Sequence, residues 1–108
     1  MEWEIRFSEH ALVRMQQRGI SREAVEMIFK FADRRIPVGK GDRALEVRAR
    51  RIDELRRRGE ICAQTAERIK GVRLIVADLD GPEPLVVTVE HGYRRKLNNW
   101  LPRSRGRR

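Results

Sequence analysis

His10, Arg14 and Arg18 are spaced four residues apart in the stretch HALVRMQQRGI, which runs from His10 to Ile20. A helix repeats every 3.6 residues, so this spacing puts all three side chains on one stripe. Leu12, Met15 and Gly19, with Ala11, fall on the opposite side and supply an apolar face for a core. The second histidine, His91, closes the stretch LVVTVEH, and Tyr93, Arg94, Arg95 and Lys96 follow it closely. Side chains alternate along a strand, so Leu85, Val87, Val89, His91 and Tyr93 share one face if no bulge intervenes. Histidine titrates near neutral pH and passes protons, while a guanidinium neutralises charge that develops on phosphate. The types fit chemistry on a phosphodiester.

Each of these residues also has an ordinary structural role. His10 can be a polar residue at a helix start, and His91 a satisfied histidine at a strand edge. Arg14 and Arg18, taken alone, suit a solvated surface, and Tyr93 can cap a core with its ring. Other chemistries lack their motifs. Two histidines without an HExxH pattern or a cysteine pair do not make a zinc site, so no metal and no cofactor is expected. There is no GxSxG elbow and no phosphate-binding glycine loop.

The elements that must position these groups are readable from capping and periodicity. WEIRF (Trp3 to Phe7) alternates like a short half-buried strand. Ser8 is a good N-cap for a first helix that Gly19 ends, with Glu9 at its positive end. Ser21 caps a second helix, REAVEMIFKFA, whose stripe is Val25, Ile28, Phe29 and Ala32, and Ile20 can close over Val25 as a hydrophobic staple. Extended chain around Ile36 to Val38 must be an edge strand or a loop because of Pro37, and a strand is expected over Ala44 to Val47. ARRIDELRRRGE and ICAQTAERIKG read as helices stopped by Gly59 and Gly71, with Ile52, Leu55, Ile61, Thr65 and Ile69 at helical spacing. VRLIVADL and LVVTVEHGY flank the turn DGPEP and form a hairpin. The expected fold is α+β: a small antiparallel sheet with the N-terminal helices packed on one face.

Composition sets the class. The 108 residues are 40% hydrophobic and 38% charged, enough for one modest core under an ionic surface. The single cysteine, Cys62, allows no internal disulfide, and no leader-like or membrane-length apolar run is visible; a cytoplasmic protein is expected. The net charge of +9 is concentrated at one end. Arg94 to Arg108 holds seven basic residues and no acid, whereas the preceding 93 residues carry 18 basic and 16 acidic side chains. Such a tail suits polyanion binding or solubility.

FSEHALVRMQQRGIS resembles the opening signature of a bacterial group, domain-of-unknown-function family 4258, whose members carry H-A-x-x-R-M-x-x-R-G-I after a strand. LVVTVEHGYRR is similar to its closing strand, V-x-T-V running into H-x-Y-[KR]-R. A basic helix in the middle of a longer subgroup resembles RARRIDELRRRG. The resemblance spans roughly Phe7 to Arg95. Against the shorter members, residues 49–70 are a helical insertion in a domain expected over 1–95, and residues 96–108, where the strand pattern has decayed, read as a basic tail. The resemblance also implies kinship with RelE-like and barnase-like ribonucleases, often toxins with an antitoxin partner. The matching polar positions are His10, Arg14, Arg18, His91, Tyr93 and Arg94.

Two functional readings follow. In the first, the protein is a metal-independent endoribonuclease. His91 takes the 2′-hydroxyl proton or protonates the leaving 5′-oxygen, and His10 or Tyr93 makes the opposite transfer. Arg14, Arg18 and Arg94 hold the scissile phosphate, with Arg95 and Lys96 adding charge for RNA. In the second, it is a non-catalytic nucleic-acid- or protein-binding module in which the tail and Trp100 grip RNA. An accessory role toward a protein partner is a third possibility. No membrane association is expected, and the oligomeric state is left open.

Overall fold

A computed structural model describes residues 4–91 of the chain, and its helices begin where the sequence places caps. Ser8 accepts the N–H of Ala11 at 3.0 Å and starts helix α1, Glu9–Arg18. Ser21 accepts the N–H of Ala24 at 3.1 Å and starts α2, Arg22–Phe31. Gly19, at φ 67°, takes the left-handed conformation that closes α1, and the next N–H, from Ile20, returns to the Met15 carbonyl at 2.9 Å. Both helices carry an acid in the first turn and a base in the last, in line with the helix dipole.

The strands are β1 (Arg6–Phe7), β2 (Arg34–Gly39), β3 (Asp42–Glu46), β4 (Val72–Ala77) and β5 (Leu85–His91), and between β3 and β4 come α3 (Ala49–Arg57) and α4 (Ala63–Ile69). The five-stranded sheet has the order β1-β5-β4-β3-β2. The neighbours from β2 to β5 pair antiparallel, as expected, but β1 lies parallel to β5. The sheet is therefore mixed, and its first and last strands are side by side. Only Arg6 and Phe7 of the expected N-terminal strand pair, and Trp3 lies outside the described residues. β2 is an edge strand with a register shift between Pro37 and Gly39, the position where a residue without an N–H is tolerated.

All four helices lie over one face. Val72, Leu74 and Val76 of β4 join Leu45, Val86 and Val89 in a single cluster with Ala11, Met15, Val25, Ile28, Leu55 and Ile69. Ile20 and Val25 are both buried, as a staple requires. In α4 the buried place falls to Ala66, with Thr65 half-buried beside it. The helix-free face carries a charged row across the strands. Arg34 stands opposite Glu46 and Arg73 opposite Glu90, and Arg73 Nε lies 3.7 Å from Glu46 Oε2. Among the described residues no helix is long and apolar enough to cross a membrane.

α1 departs from expectation in one respect. Leu12 is 51% exposed, while Ala11 and Met15 are the buried residues. At about 100° per residue, Arg14 lies only about 60° from Ala11. The His10–Arg14–Arg18 stripe thus borders the buried face rather than opposing it, and Leu12 borders it on the other side.

Candidate functional site

α1 packs chiefly against β5, so the first helix and the last strand share one corner of the molecule. A single residue makes the join. The Ser8 N–H donates to the Val86 carbonyl at 3.0 Å, and the Ser8 hydroxyl donates to the Val87 carbonyl at 2.7 Å. Ser8 therefore caps the helix that carries His10 and ties that cap to the strand that ends in His91.

Val87 is the extra residue of a β-bulge. Ile75 stands opposite Thr88 but Val76 opposite Val86, which leaves Val87 without a counterpart on β4. The bulge overturns the simple alternation expected for this strand. Val86 joins Val89 in the core, and Leu85 and Val87 are only half-buried. His91 stands opposite the buried Val72, two residues beyond Val89, so it belongs to the helix-covered face that α1 packs on. The bulge moves the start of the strand and leaves His91 where the alternation from Val89 puts it.

His10 lies in the first turn of α1 and is exposed, as are Arg18 at its last position and His91 at the end of β5. Arg14 differs. Its side chain is half-buried, and its Nε is fully buried with no hydrogen-bond partner among the described residues. Leaving such a donor unmet costs roughly 1–3 kcal/mol, and more for a charged group. No hydrogen bond or ion pair ties either imidazole to another described residue. Tyr93, Arg94, Arg95 and Lys96 lie outside the described residues, so the structure brings together only α1, carrying His10, Arg14 and Arg18, and β5, carrying His91.

The opposite end of β5 has a different character. An open hollow of about 470 Å³ there is lined by Arg6, Arg43, Asp78, Asp80 and Glu83. Its arginines already face acids, Arg43 at 3.6 Å from Asp80 and Arg6 at 3.6 Å from Glu83. Among the described residues no three His, Cys, Asp or Glu side chains are grouped to hold a metal ion.

The sequence marked Ser8 as a cap but carried no sign of its bond to Val87, a contact between residues 79 positions apart. It likewise carried no sign that Arg14 alone of its stripe would be drawn inward, because helical spacing does not say how a helix is rolled on a sheet.

No curated protein and no solved structure matches the chain. A family model described as a domain of unknown function, DUF4258, matches residues 7–91, from the end of β1 through the last residue of β5, and the chain belongs to that family.

Proposed function

We propose that the α1–β5 corner is a metal-independent site for RNA phosphodiesters, acting as an endoribonuclease. The observation that supports this is the buried, unpartnered Nε of Arg14 on a stripe between His10 and Arg18, against the strand that ends in His91. A guanidinium whose Nε is enclosed, and which has no acceptor among the described residues, gains from an arriving phosphate oxygen at its other nitrogens. Arg14 and Arg18 hold the scissile phosphate. His91 removes the 2′-hydroxyl proton, the oxygen attacks phosphorus, and His10 protonates the leaving 5′-oxygen, or the two exchange roles. The start of α1 contributes partial positive charge beside His10. In sequence, Tyr93, Arg94, Arg95 and Lys96 follow His91 after Gly92 and add an alternative proton donor and further charge for RNA. The resemblance in sequence implies kinship with RelE-like and barnase-like ribonucleases, including toxin-type members with an antitoxin partner, and the reading adopts that expectation.

One observation favours a second reading, a non-catalytic RNA-binding module. No described residue orients either imidazole, whereas a working general base is usually held by a third group. End-labelled RNA incubated in EDTA with the wild type, His10→Ala and His91→Ala decides between them. The ribonuclease reading requires 2′,3′-cyclic phosphate ends from the wild type and a loss of roughly 10²–10⁴-fold in each variant. Bound but intact RNA, or equal cleavage by all three, leaves the binding module.

A further inference from the structure

We infer that the outer face of α3 is a second docking surface, one that holds the phosphate backbone of RNA away from the α1–β5 corner. The inference rests on the RNA reading above and adds where the flanking substrate lies. From Arg48 to Arg58 the chain has six arginines against two acids, Asp53 and Glu54. Ile52 and Leu55 anchor the helix in the core. At about 100° per residue, Arg50 and Arg57 then point almost directly away from that anchor, with Asp53 and Glu54 about 50° to either side of them, while Arg56 on one side and Arg51 and Arg58 on the other lie nearer the core.

Half of this charge is already answered. Arg48 pairs with Asp33 at 3.1 Å, Arg51 with Glu54 at 3.3 Å and Arg58 with Glu60 at 3.7 Å. Arg50, Arg56 and Arg57 have no carboxylate within 4.0 Å among the described residues, and Arg56 and Arg57 line a shallow hollow with Asp53. The positive surface continues onto the end of α2, where Lys30 and Arg51 both lie over the Phe31 ring, at 5.2 and 5.9 Å.

The first turn of α3 is not arranged as helix stability selects, although Arg56 and Arg57 in the last turn suit the dipole. α3 has no acid in its first turn, and Arg50 and Arg51 stand there instead, at the end of the helix dipole that repels cations. Each such placement costs about 0.3–1 kcal/mol at a surface. Arg51 recovers part of that cost in its pair with Glu54 and over the Phe31 ring, whereas Arg50 has no such contact among the described residues, and a local rule broken without an evident gain points to function.

The occupant follows from what the face lacks. Its apolar residues Ile52 and Leu55 are buried, and the large exposed hydrophobics Leu12, Val13 and Val38 lie on other elements. A protein partner needs an apolar patch at the centre of its interface. A phosphate backbone needs only charge and donors, and guanidinium forks match phosphate oxygens in pairs. With no exposed aromatic side chain on α3, the contact is independent of base sequence. α1 lies on the β1–β5 side of the sheet, whereas α3 leaves β3 beside the β2 edge. Short RNA therefore reaches one surface and longer RNA reaches both.

The test is binding of a long fluorescent 2′-O-methyl RNA, which lacks the attacking hydroxyl, as salt is varied. Arg50→Gln/Arg57→Gln is compared with Arg22→Gln/Lys40→Gln, which removes the same charge elsewhere. The α3 pair should weaken binding at least tenfold and lower the log–log salt slope by about 1.4, roughly 0.7 for each phosphate contact on a single strand. The control pair should change affinity less than twofold. Each α3 single variant gives about half the slope change, which keeps the result readable if the double variant unfolds. Equal losses in the two pairs, or no loss in either, overturn the inference, and the second outcome leaves an acidic protein as the occupant. Cleavage of a short substrate, read separately, should survive the α3 substitutions. RNA that is bound through α3 but never cleaved removes the ribonuclease reading alone, and a wild type that binds no RNA removes both.

Discussion

The Ser8 hydroxyl donates to the carbonyl of Val87 at 2.7 Å while accepting the N–H of Ala11 at 3.0 Å. One side chain thus caps α1 and occupies the carbonyl that the β5 bulge sets free from the regular ladder. His10 follows two residues after this lock and His91 four residues after Val87, so the geometry of the corner depends on it.

Ser8→Ala removes both bonds. Loss of the cap costs about 1 kcal/mol, and the freed Val87 carbonyl adds a comparable amount if it stays buried. A drop of roughly 1–2 kcal/mol should lower the melting temperature by several degrees, since about 1 kcal/mol shifts a domain of this size by 4–8 °C. Amide exchange should also quicken in the first turn of α1 and around the bulge. A variant that melts with the wild type would show that neither bond contributes.

Arg14→Met separates binding from folding. Methionine keeps most of the aliphatic stem and removes a buried donor that has no partner. Stability should stay level or rise slightly in urea unfolding, because an unmet polar group is gone. RNA cleavage should fall about 10²-fold, the scale seen when one donor to a developing oxyanion is deleted. Loss of stability with unchanged activity would make Arg14 a packing residue.

Asp33 carries a pH dependence. Burial raises its carboxyl, but the Arg48 backbone N–H, the Arg48 guanidinium hydrogen bond and the Arg48 charge outweigh it, and the pKa sits below the ordinary 3.8. A depressed carboxylate contributes stability that is present above its unfolded value and fades as pH falls through the folded one. Asp33→Asn should therefore melt lower than the wild type at neutral pH, and the gap should close below about pH 4. A gap that is constant with pH would mean that the amide loses packing rather than charge.

Glu46 is buried on the helix-free face with Arg73 Nε at 3.7 Å. Truncating Glu46 removes one of the groups that offset the Arg73 charge, which also stands opposite Glu90. Glu46→Ala should destabilise in urea unfolding, by less than the roughly 3–5 kcal/mol seen when the remaining buried charge is left uncompensated. The isosteric Glu46→Gln should lose less, because it keeps the side-chain volume and a partial negative charge on the amide oxygen near Arg73. Equal losses in the two variants would assign the effect to volume instead of charge.

Much of this architecture was legible in the sequence because it is made by local interactions. Ser8, Ser21 and Gly19 act within one helical turn of themselves, so their roles as caps and stop could be assigned from neighbours alone. The β4–β5 hairpin could be read from two β-branched runs around DGPEP, and Pro37 placed β2 at an edge because it lacks a donor. Of the candidate site, the sequence supplied the stripe of His10, Arg14 and Arg18 and the strand that ends in His91. Tertiary contacts decided the rest. The parallel insertion of β1 beside β5, the bulge at Val87 and the burial of Arg14 Nε in place of Leu12 depend on residues far apart in the chain. Periodicity defines the faces an element possesses; only packing determines which face turns inward, and by how many degrees.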